Sequence, residues 1–277
     1  MMVNELIGFM QGRLSPMIDG KIQVFPWPYW QDEFPLAKKN GFSLMEWTLD
    51  QERLYENPLL TETGQAEIRS LGEEYDLSIP SLTGDCFMQT PFWKADGKDR
   101  QSLQDDFLAI ARACTAIGTT IMVVPLVDNG KLESAEQEDI LVKFLQIQSG
   151  FLAENGLKVA FESDFSPAEL ARFISRLDPA LFGVNYDIGN SAALGFDPIV
   201  EMKCYGDRVI NVHVKDRPLD GTTVPLGDGD ANFELVFSLL NQAGYSGNYI
   251  LQTARADNND HAGTLSDFRD MTNVWLN

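Results

Sequence analysis

Residues 101–125, QSLQDDFLAIARACTAIGTTIMVVP, contain a complete helix-to-strand unit of the chain. Counting from Leu103, apolar residues recur at offsets of 4, 7, 8, 11 and 14, which is the spacing of one face of an α-helix. Gly118 follows, and glycine commonly ends a helix because it adopts left-handed backbone conformations without strain. Residues 120–124 are then rich in apolar and β-branched side chains, as in a parallel strand buried on both faces. This segment predicts an α/β protein.

The same order of elements recurs along the chain. A second apolar helical face over residues 140–152 stops at Asn155 and Gly156 and is followed by a strand over residues 158–162. Ser166 is then a predicted helix N-cap, with Glu169 completing a capping box. Strands are predicted at residues 7–11, 44–48, 78–83, 120–124, 158–162, 182–186, 209–214 and 249–252.

Eight strands that alternate with helices divide the 277 residues into units of about 35, close to the length of a βαβ step. No linker-like or low-complexity segment interrupts them. We therefore predict a single (β/α)8 TIM barrel domain over residues 1–277, with a doubly wound open sheet as the alternative.

Composition excludes several function classes. The chain has 21 Lys and Arg against 41 Asp and Glu, a formal charge of −20, which disfavours nucleic acid and anionic membranes as partners. The apolar stretch at residues 121–127 is far shorter than the ~18 residues of a membrane span. Three widely spaced cysteines and an N-terminus without a basic signal region lead us to expect a cytoplasmic protein.

Polar side chains stand at the carboxyl ends of the predicted strands, where the active sites of TIM barrels lie. Glu162, Asp187 and His213 end three consecutive strands and should point toward one place. Two carboxylates and an imidazole favour a divalent ion such as Mn²⁺, Mg²⁺, Co²⁺ or Zn²⁺. Three unrelated buried polar residues are the alternative.

Four segments resemble the sugar phosphate isomerase/epimerase family of xylose-isomerase-like TIM barrels: AFES at 160–163, NYDIGN at 185–190, NVHVKD at 211–216 and PLGDG at 225–229. The opening GFMQGRL at 8–14 and MEW at 45–47 also resemble this family. The resemblance implies a divalent metal ion held after strands five, six, seven and eight. The fourth position is normally glutamate but is Gln252 here, which can donate a carbonyl oxygen yet cannot take up a proton.

The chemistry implied by the resemblance is proton abstraction beside a carbonyl group, with the metal ion stabilising an enediolate. Glu162 is the candidate base. A 3-epimerase of this type uses two carboxylates on opposite faces of the substrate, whereas an isomerase can manage with one. Because Gln252 removes the second carboxylate, the sequence favours isomerisation over epimerisation.

Cations near the strand ends suggest recognition of phosphate or carboxylate groups, and Gly227 to Gly229 could offer backbone N–H groups to a phosphate. The aromatic segment at residues 25–30 could line the pocket or pack against a second subunit of a homo-oligomer. Predicted substrate contacts are Arg13, Glu46, Asp85, Asn190, Lys215, Arg217 and Arg255.

The sequence therefore predicts a metal-dependent isomerase or epimerase whose substrate is a small sugar or sugar phosphate. A lyase or dehydratase is the alternative among enzymes, since an enediolate can also expel a β-hydroxyl group. A non-catalytic sugar-binding relative is the alternative outside enzymes, and Gln252 is the residue that suggests it. The endonuclease branch of the superfamily is disfavoured because the chain has only 2 histidines and is acidic.

Overall fold

The computed structural model describes residues 6–276. Eight parallel strands close into a barrel in chain order, and the last strand pairs with the first. This arrangement confirms the predicted (β/α)8 barrel and excludes the open sheet. The strands are β1 Ile7–Met10, β2 Leu44–Leu49, β3 Ser78–Gly84, β4 Ile121–Leu126, β5 Lys158–Ser163, β6 Phe182–Asp187, β7 Val209–Val214 and β8 Tyr249–Leu251.

Helices surround the barrel, and within residues 6–276 none is long and apolar enough to cross a lipid bilayer. Two of them, α3 and α7, are short and begin directly where a strand ends. The helices are α1 Glu33–Lys39, α2 Glu62–Tyr75, α3 Asp85–Gln89, α4 Gly97–Ile117, α5 Ala135–Glu154, α6 Pro167–Ile174, α7 Ile188–Ala193, α8 Pro198–Tyr205, α9 Phe233–Gln242 and α10 His261–Leu276.

The predicted element boundaries agree with these bounds, and every strand end lies within two residues of its expected position. Gly118 follows α4 at φ +83°, a left-handed conformation that a side chain would strain. At the start of α6 the Glu169 carboxylate accepts hydrogen bonds from the backbone N–H and the hydroxyl of Ser166. The capping box is therefore present, and local turn chemistry sets these helix ends.

Polar side chains fill the barrel toward its carboxyl end. Glu46 of β2 accepts hydrogen bonds from Asn211 and His213 of β7, although the two strands are not neighbours in the sheet. Such contacts can only pass through the barrel interior. The helices cover the outside with apolar side chains, as in the edge-on packing of Phe107 of α4 against Phe144 of α5. The interior therefore holds a buried polar network that supports the rim.

The aromatic segment after β1 packs onto the outside of β2. Phe25 and Trp30 are buried, and both rings lie within 6 Å of the Trp47 ring. Trp27 contacts Phe25 and lies under the guanidinium of Arg53. These rings anchor the long loop that carries Gln23 to the mouth of the barrel.

Candidate active site

Three buried side chains with metal-binding chemistry lie at the ends of the adjacent strands β5, β6 and β7: Glu162, Asp187 and His213. One donor atom from each lies within 4.8 Å of the other two. Nδ1 of His213 is 3.2 Å from Oε2 of Glu162 and 3.9 Å from Oδ2 of Asp187. The parallel register, which pairs Asp187 with His213, produces this convergence.

The orientation of His213 is set by Glu46. Nε2 of His213 lies 2.7 Å from Oε1 of Glu46, and because a carboxylate only accepts hydrogen bonds, Nε2 carries the proton. Nδ1 faces Glu162 and the side-chain amide nitrogen of Asn185, which is 3.0 Å away. Burial lowers the pKa of His213, but the Glu46 charge and the other carboxylates more than reverse this, so the pKa lies well above its ordinary value. The site favours a positive charge at Nδ1, which a proton or a metal ion supplies.

Glu46, predicted as a substrate contact, is fully buried beneath His213. Its carboxylate also accepts hydrogen bonds from Ser81 at 2.6 Å, from Asn211 at 2.9 Å and from Thr83. Burial raises the pKa of Glu46, but the charge and hydrogen bond of His213 more than offset this, so the pKa lies below its usual value. This placement suits orientation of the imidazole and keeps Glu46 away from the cavity.

Gln252 lies just beyond β8 with 6% of its surface exposed. Its amide Nε2 donates to Oε1 of Gln23 at 2.8 Å. Its carbonyl oxygen is buried and, within the described residues, has no hydrogen-bond partner. A buried acceptor without a partner is destabilising. Two carboxylates, an imidazole nitrogen and this free amide oxygen fit a hard or borderline divalent ion.

A cavity of about 390 Å³ opens at this end of the barrel. Its volume is in the range of small-molecule sites. Among the predicted site residues, Asp85, Glu162, Asn190, Lys215, Arg217 and Gln252 line it. The remaining wall includes Gln23, Thr83, Met88, Pro125, Val127, Asp128, Asp164, Ala193, Leu194 and Asp220.

Asn190 connects the carboxylates to the cations at the cavity wall. Its side-chain N–H donates to Oε1 of Glu162 at 2.7 Å, and its carbonyl oxygen accepts from Arg217 at 2.6 Å and from Lys215 at 3.3 Å. Lys215 also donates to Oδ2 of Asp187 at 2.7 Å. Burial raises the pKa of Asp187, but the Lys215 ammonium and His213 reverse this and lower it strongly.

Arg13 and Arg255, both predicted substrate contacts, lie behind the cavity and do not line it. Arg13 donates to the carbonyl oxygens of Thr253 and Ile22 and to Gln23. Arg255 donates to two carbonyl oxygens of the loop after β1. The structure therefore brings two of the four predicted cations, Lys215 and Arg217, to the cavity, while the other two hold loops in place.

The backbone N–H groups of Gly227 and Gly229, considered above for phosphate binding, already have an acceptor. Both donate to Oδ2 of Asp216, at 2.8 and 3.0 Å, and Ala231 N–H donates to Oδ1 of the same residue. Asp216 is fully buried. This loop is therefore ordered by an internal carboxylate, and these N–H groups do not face a ligand.

Asp85, a predicted substrate contact, begins α3 and lines the cavity. Its Oδ2 accepts from Nε2 of Gln23 at 2.8 Å, and Gln23 in turn accepts from Gln252. Burial, together with the charges of Asp50 and Glu162, raises the pKa of Asp85 to about 7. A carboxyl group titrating near neutral pH is chemically able to give and take protons.

Sequence reasoning missed several cavity residues. Asp128 and Asp164 come immediately after β4 and β5, so a stricter use of strand ends as a signal would have found them. Gln23 and Asp220 belong to long connections, and no periodicity or strand end marks them. Their positions follow from loop conformation, which the sequence pattern does not specify.

Comparisons with known proteins agree with this geometry. The chain is 24% identical over 254 residues to an L-ribulose-5-phosphate 3-epimerase from Escherichia coli strain SMS-3-5, covering 87% of this chain and 88% of the relative. Its fold matches that of a D-allulose 3-epimerase from Methylomonas sp. at TM-score 0.76 and 16% identity, over 97% and 98% of the two chains. It also matches the IOLI protein with a bound zinc atom, at TM-score 0.73 and 16% identity, over 97% of each chain.

A sequence profile described as xylose isomerase-like TIM barrel matches residues 34–271, which include every strand from β2 to β8. The match therefore contains all four positions proposed to surround the metal ion. With the closed barrel and the convergent triad, it identifies the chain as a member of the xylose isomerase-like TIM barrel family.

Proposed function

We propose that this chain is a divalent-metal-dependent ketose epimerase that works through an enediolate. The observation that carries the proposal is the buried group of Glu162, Asp187 and His213, and the unpartnered carbonyl oxygen of Gln252 is the candidate fourth ligand. All four residues lie at or just beyond the ends of β5 to β8. The zinc atom in the IOLI structure supports metal binding in this fold.

The preference of the sequence for isomerisation is not supported by the comparisons. The E. coli relative and the Methylomonas structure both carry the name of a 3-epimerase. That preference rested only on the missing carboxylate at Gln252, and such an argument fails if another acid lines the cavity. We therefore favour epimerisation.

The chemistry divides between the ion and the protein. A divalent ion held by the four residues would polarise the carbonyl and adjacent hydroxyl oxygens of a ketose and stabilise the enediolate. Glu162 is the proposed base that removes the proton next to the carbonyl. Asn190 and Asn185 donate hydrogen bonds to its two oxygens, at 2.7 and 2.9 Å, and so fix the direction of the carboxylate.

Epimerisation returns the proton on the opposite face of the enediolate, and Gln252 cannot donate one from a carboxyl group. We assign this step to Asp85, which lines the same cavity and is linked to Gln252 through Gln23. In one direction of reaction Glu162 removes the proton and Asp85 donates one. The two exchange roles in the reverse direction.

The test is solvent deuterium exchange into a panel of ketoses, followed by mass spectrometry with an added divalent ion. The wild-type chain should incorporate deuterium next to the carbonyl and form the 3-epimer. Glu162→Gln should keep an amide oxygen for the ion but lose exchange by about 10²–10⁴ in rate. Exchange at the wild-type rate in this variant would place the base elsewhere.

The same panel separates the other functions. A lyase or dehydratase would give a product that lacks one water, and an isomerase would give an aldose. A non-catalytic relative would bind a sugar without exchanging deuterium. Each of these results would replace the epimerase proposal.

A further inference from the structure

We propose that the sugar accepted by this cavity carries no phosphate group, so that the substrate is an uncharged ketose. This inference rests on the proposed function and gives it a substrate class. It departs from the E. coli relative, whose name specifies a phosphorylated ketose. The charges that line the cavity, and the contacts that its hydrogen-bond donors already make, support this inference.

Acidic side chains outnumber basic ones in the cavity wall. Five carboxylates line it, against the two cations Lys215 and Arg217. Asp164 is paired with Lys131 at 2.7 Å, and Glu162 belongs to the metal-binding group. The remaining carboxylates are Asp85, Asp128 and Asp220, and none of them makes an ion pair with any residue from 6 to 276.

The two cations are already engaged. The Lys215 ammonium donates to Asp187 and to Asn190. The Nε and Nη2 edge of Arg217, which could grip a phosphate with two parallel hydrogen bonds, donates to the carbonyl oxygen of Gly221 at 2.9 and 2.7 Å. Its Nη1 donates to Asn190. A phosphate would have to displace these contacts.

Other groups that commonly bind phosphate are also directed elsewhere. Arg13 and Arg255 donate to backbone carbonyl oxygens behind the cavity, and the N–H groups of Gly227 and Gly229 donate to Asp216. A phosphate group would therefore meet the carboxylates of Asp128 and Asp220, which line the cavity without an ion pair, and within residues 6–276 none of these donor groups is free to bind it. Repulsion between these charges would oppose its binding.

The same lining suits a neutral polyol. Sugar hydroxyls donate hydrogen bonds, and carboxylate oxygens such as those of Asp128 and Asp220 accept them. A cavity of about 390 Å³ is large enough for one monosaccharide. The unpartnered carbonyl oxygen of Gln252, which is 6% exposed, marks the end of the cavity where the reacting oxygens would sit. The polyol tail then extends toward the acidic wall.

The experiment compares L-ribulose with L-ribulose 5-phosphate, and D-fructose with D-fructose 6-phosphate, on the metal-loaded wild-type chain. Deuterium exchange gives kcat/KM, and calorimetry with Glu162→Gln gives binding without turnover. We expect the free ketose of at least one pair to exceed its phosphate by tenfold or more in both measurements. Preference for the phosphorylated sugar in both pairs, in either measurement, overturns the inference but leaves the epimerase proposal intact.

Failure of the two ideas can be told apart. If neither sugar exchanges deuterium but the free ketose binds more tightly, the epimerase proposal fails and the substrate class stands. If no ketose binds more tightly than its phosphate, the substrate class is wrong.

A charge-matched variant tests the cause. Asp128→Asn combined with Asp220→Asn should shift the ratio of phosphorylated to free sugar toward the phosphate by roughly tenfold. Glu73→Gln combined with Glu154→Gln removes the same charge from exposed helix positions outside the cavity wall and should leave the ratio unchanged. Equal ratios in the two double variants would show that Asp128 and Asp220 do not exclude phosphate.

Discussion

Gln252 is the residue that most distinguishes this site from the pattern of the family it resembles. Its carbonyl oxygen is buried without a partner in the described chain, and its amide donates to Gln23. Because glutamine is neutral, the proposed metal-binding group carries one negative charge fewer than it would with glutamate at this position. The affinity for the ion should therefore respond directly to this residue.

Gln252→Glu should bind a divalent ion about tenfold more tightly, because the added charge is largely buried and lies just beyond β8, the strand that pairs with β7. Titration with Mn²⁺ or Zn²⁺ in competition with a chelator measures the change. Gln252→Ala is the control and should bind the ion more weakly than the wild type. Unchanged affinity in both variants would place Gln252 outside the coordination sphere.

Glu46 acts on the site through His213. Glu46→Ala should weaken metal binding by about 10–100-fold, as is typical when a group that orients a metal-ligating histidine is lost. Glu46→Gln keeps an acceptor for the Nε2 proton and should restore part of that affinity. Equal losses in the two variants would indicate that Glu46 supports the barrel interior and does not orient the imidazole.

Substitution of Asp85 should impair epimerisation while proton removal continues. In Asp85→Asn we expect deuterium exchange to persist, since Glu162 still removes and returns the proton on one face. Formation of the epimer should fall by about 10²–10⁴, because the opposite face has lost its acid. A purely structural role would lower both rates together.

The raised pKa of Asp85 also predicts a pH dependence. Burial, helped by the charges of Asp50 and Glu162, raises the pKa of Asp85 to about 7, while the hydrogen bond from Gln23 and the charge of Lys215 oppose this rise. The group is protonated below that pH and ionised above it. Because epimerisation needs one proton shared between Glu162 and Asp85, kcat/KM should fall as the pH rises through about 7. A flat profile from pH 6 to 8 would contradict the assignment.

At the scale of elements, short helices at the strand ends position the site. Asp187 caps α7 by accepting the N–H of Asn190, and this turn places the Asn190 side chain against Glu162. Gly189 allows α7 to lie close to Lys215. A Cβ at this position would lie only 2.7 Å from Cγ and 2.9 Å from the backbone carbonyl carbon of Lys215. The close approach of α7 to Lys215, just beyond β7, therefore depends on the lack of a side chain at Gly189.

Gly189→Ala should destabilise the fold by about 1–3 kcal/mol, the usual range for overpacking. Urea denaturation measures it. Gly150→Ala is the matched control, because a Cβ at Gly150 of α5 meets nothing within 4 Å and alanine favours helix by up to about 1 kcal/mol. If Gly189→Ala is as stable as the control, the close approach of Lys215 is not a constraint.

The sequence predicted the elements well because their signals are local. Apolar periodicity located helices, continuous apolar runs located strands, and residues such as Gly118 and Ser166 marked helix ends. Parallel strands in a closed barrel then bring consecutive strand ends together, so Glu162, Asp187 and His213 could be grouped before the structure was known.

Side-chain direction beyond the strand ends could not be predicted in the same way. Arg13 and Arg255 stand near strand ends in the sequence but donate to backbone carbonyl oxygens behind the cavity. Glu46 was expected to contact the substrate but is fully buried in the barrel interior. These directions depend on hydrogen bonds between residues more than 160 positions apart, such as Glu46 with Asn211. The local pattern of residues in a single sequence does not indicate which distant residues form such hydrogen bonds.

At the scale of the whole molecule, the closed barrel brings motifs that are separate in the sequence to the same end of the fold. Strands β5 to β8 supply the proposed ligands, while β2 and β3 supply the buried hydroxyls and the carboxylate that orient His213. The chain has a formal charge of −20, and the cavity wall is likewise acidic because its carboxylates outnumber its cations. The molecule therefore presents an acidic mouth with a candidate metal-binding group, which suits the proposed small polyol.

The most direct test of this account is the metal content of the chain, measured by mass spectrometry after purification without chelator and dialysis against a divalent ion. The wild type should retain one ion per chain. Asp187→Ala and His213→Ala should each lose most of it, because each removes a donor from a group whose atoms lie within 4.8 Å. Full retention of the ion with unchanged affinity in both variants would contradict the account.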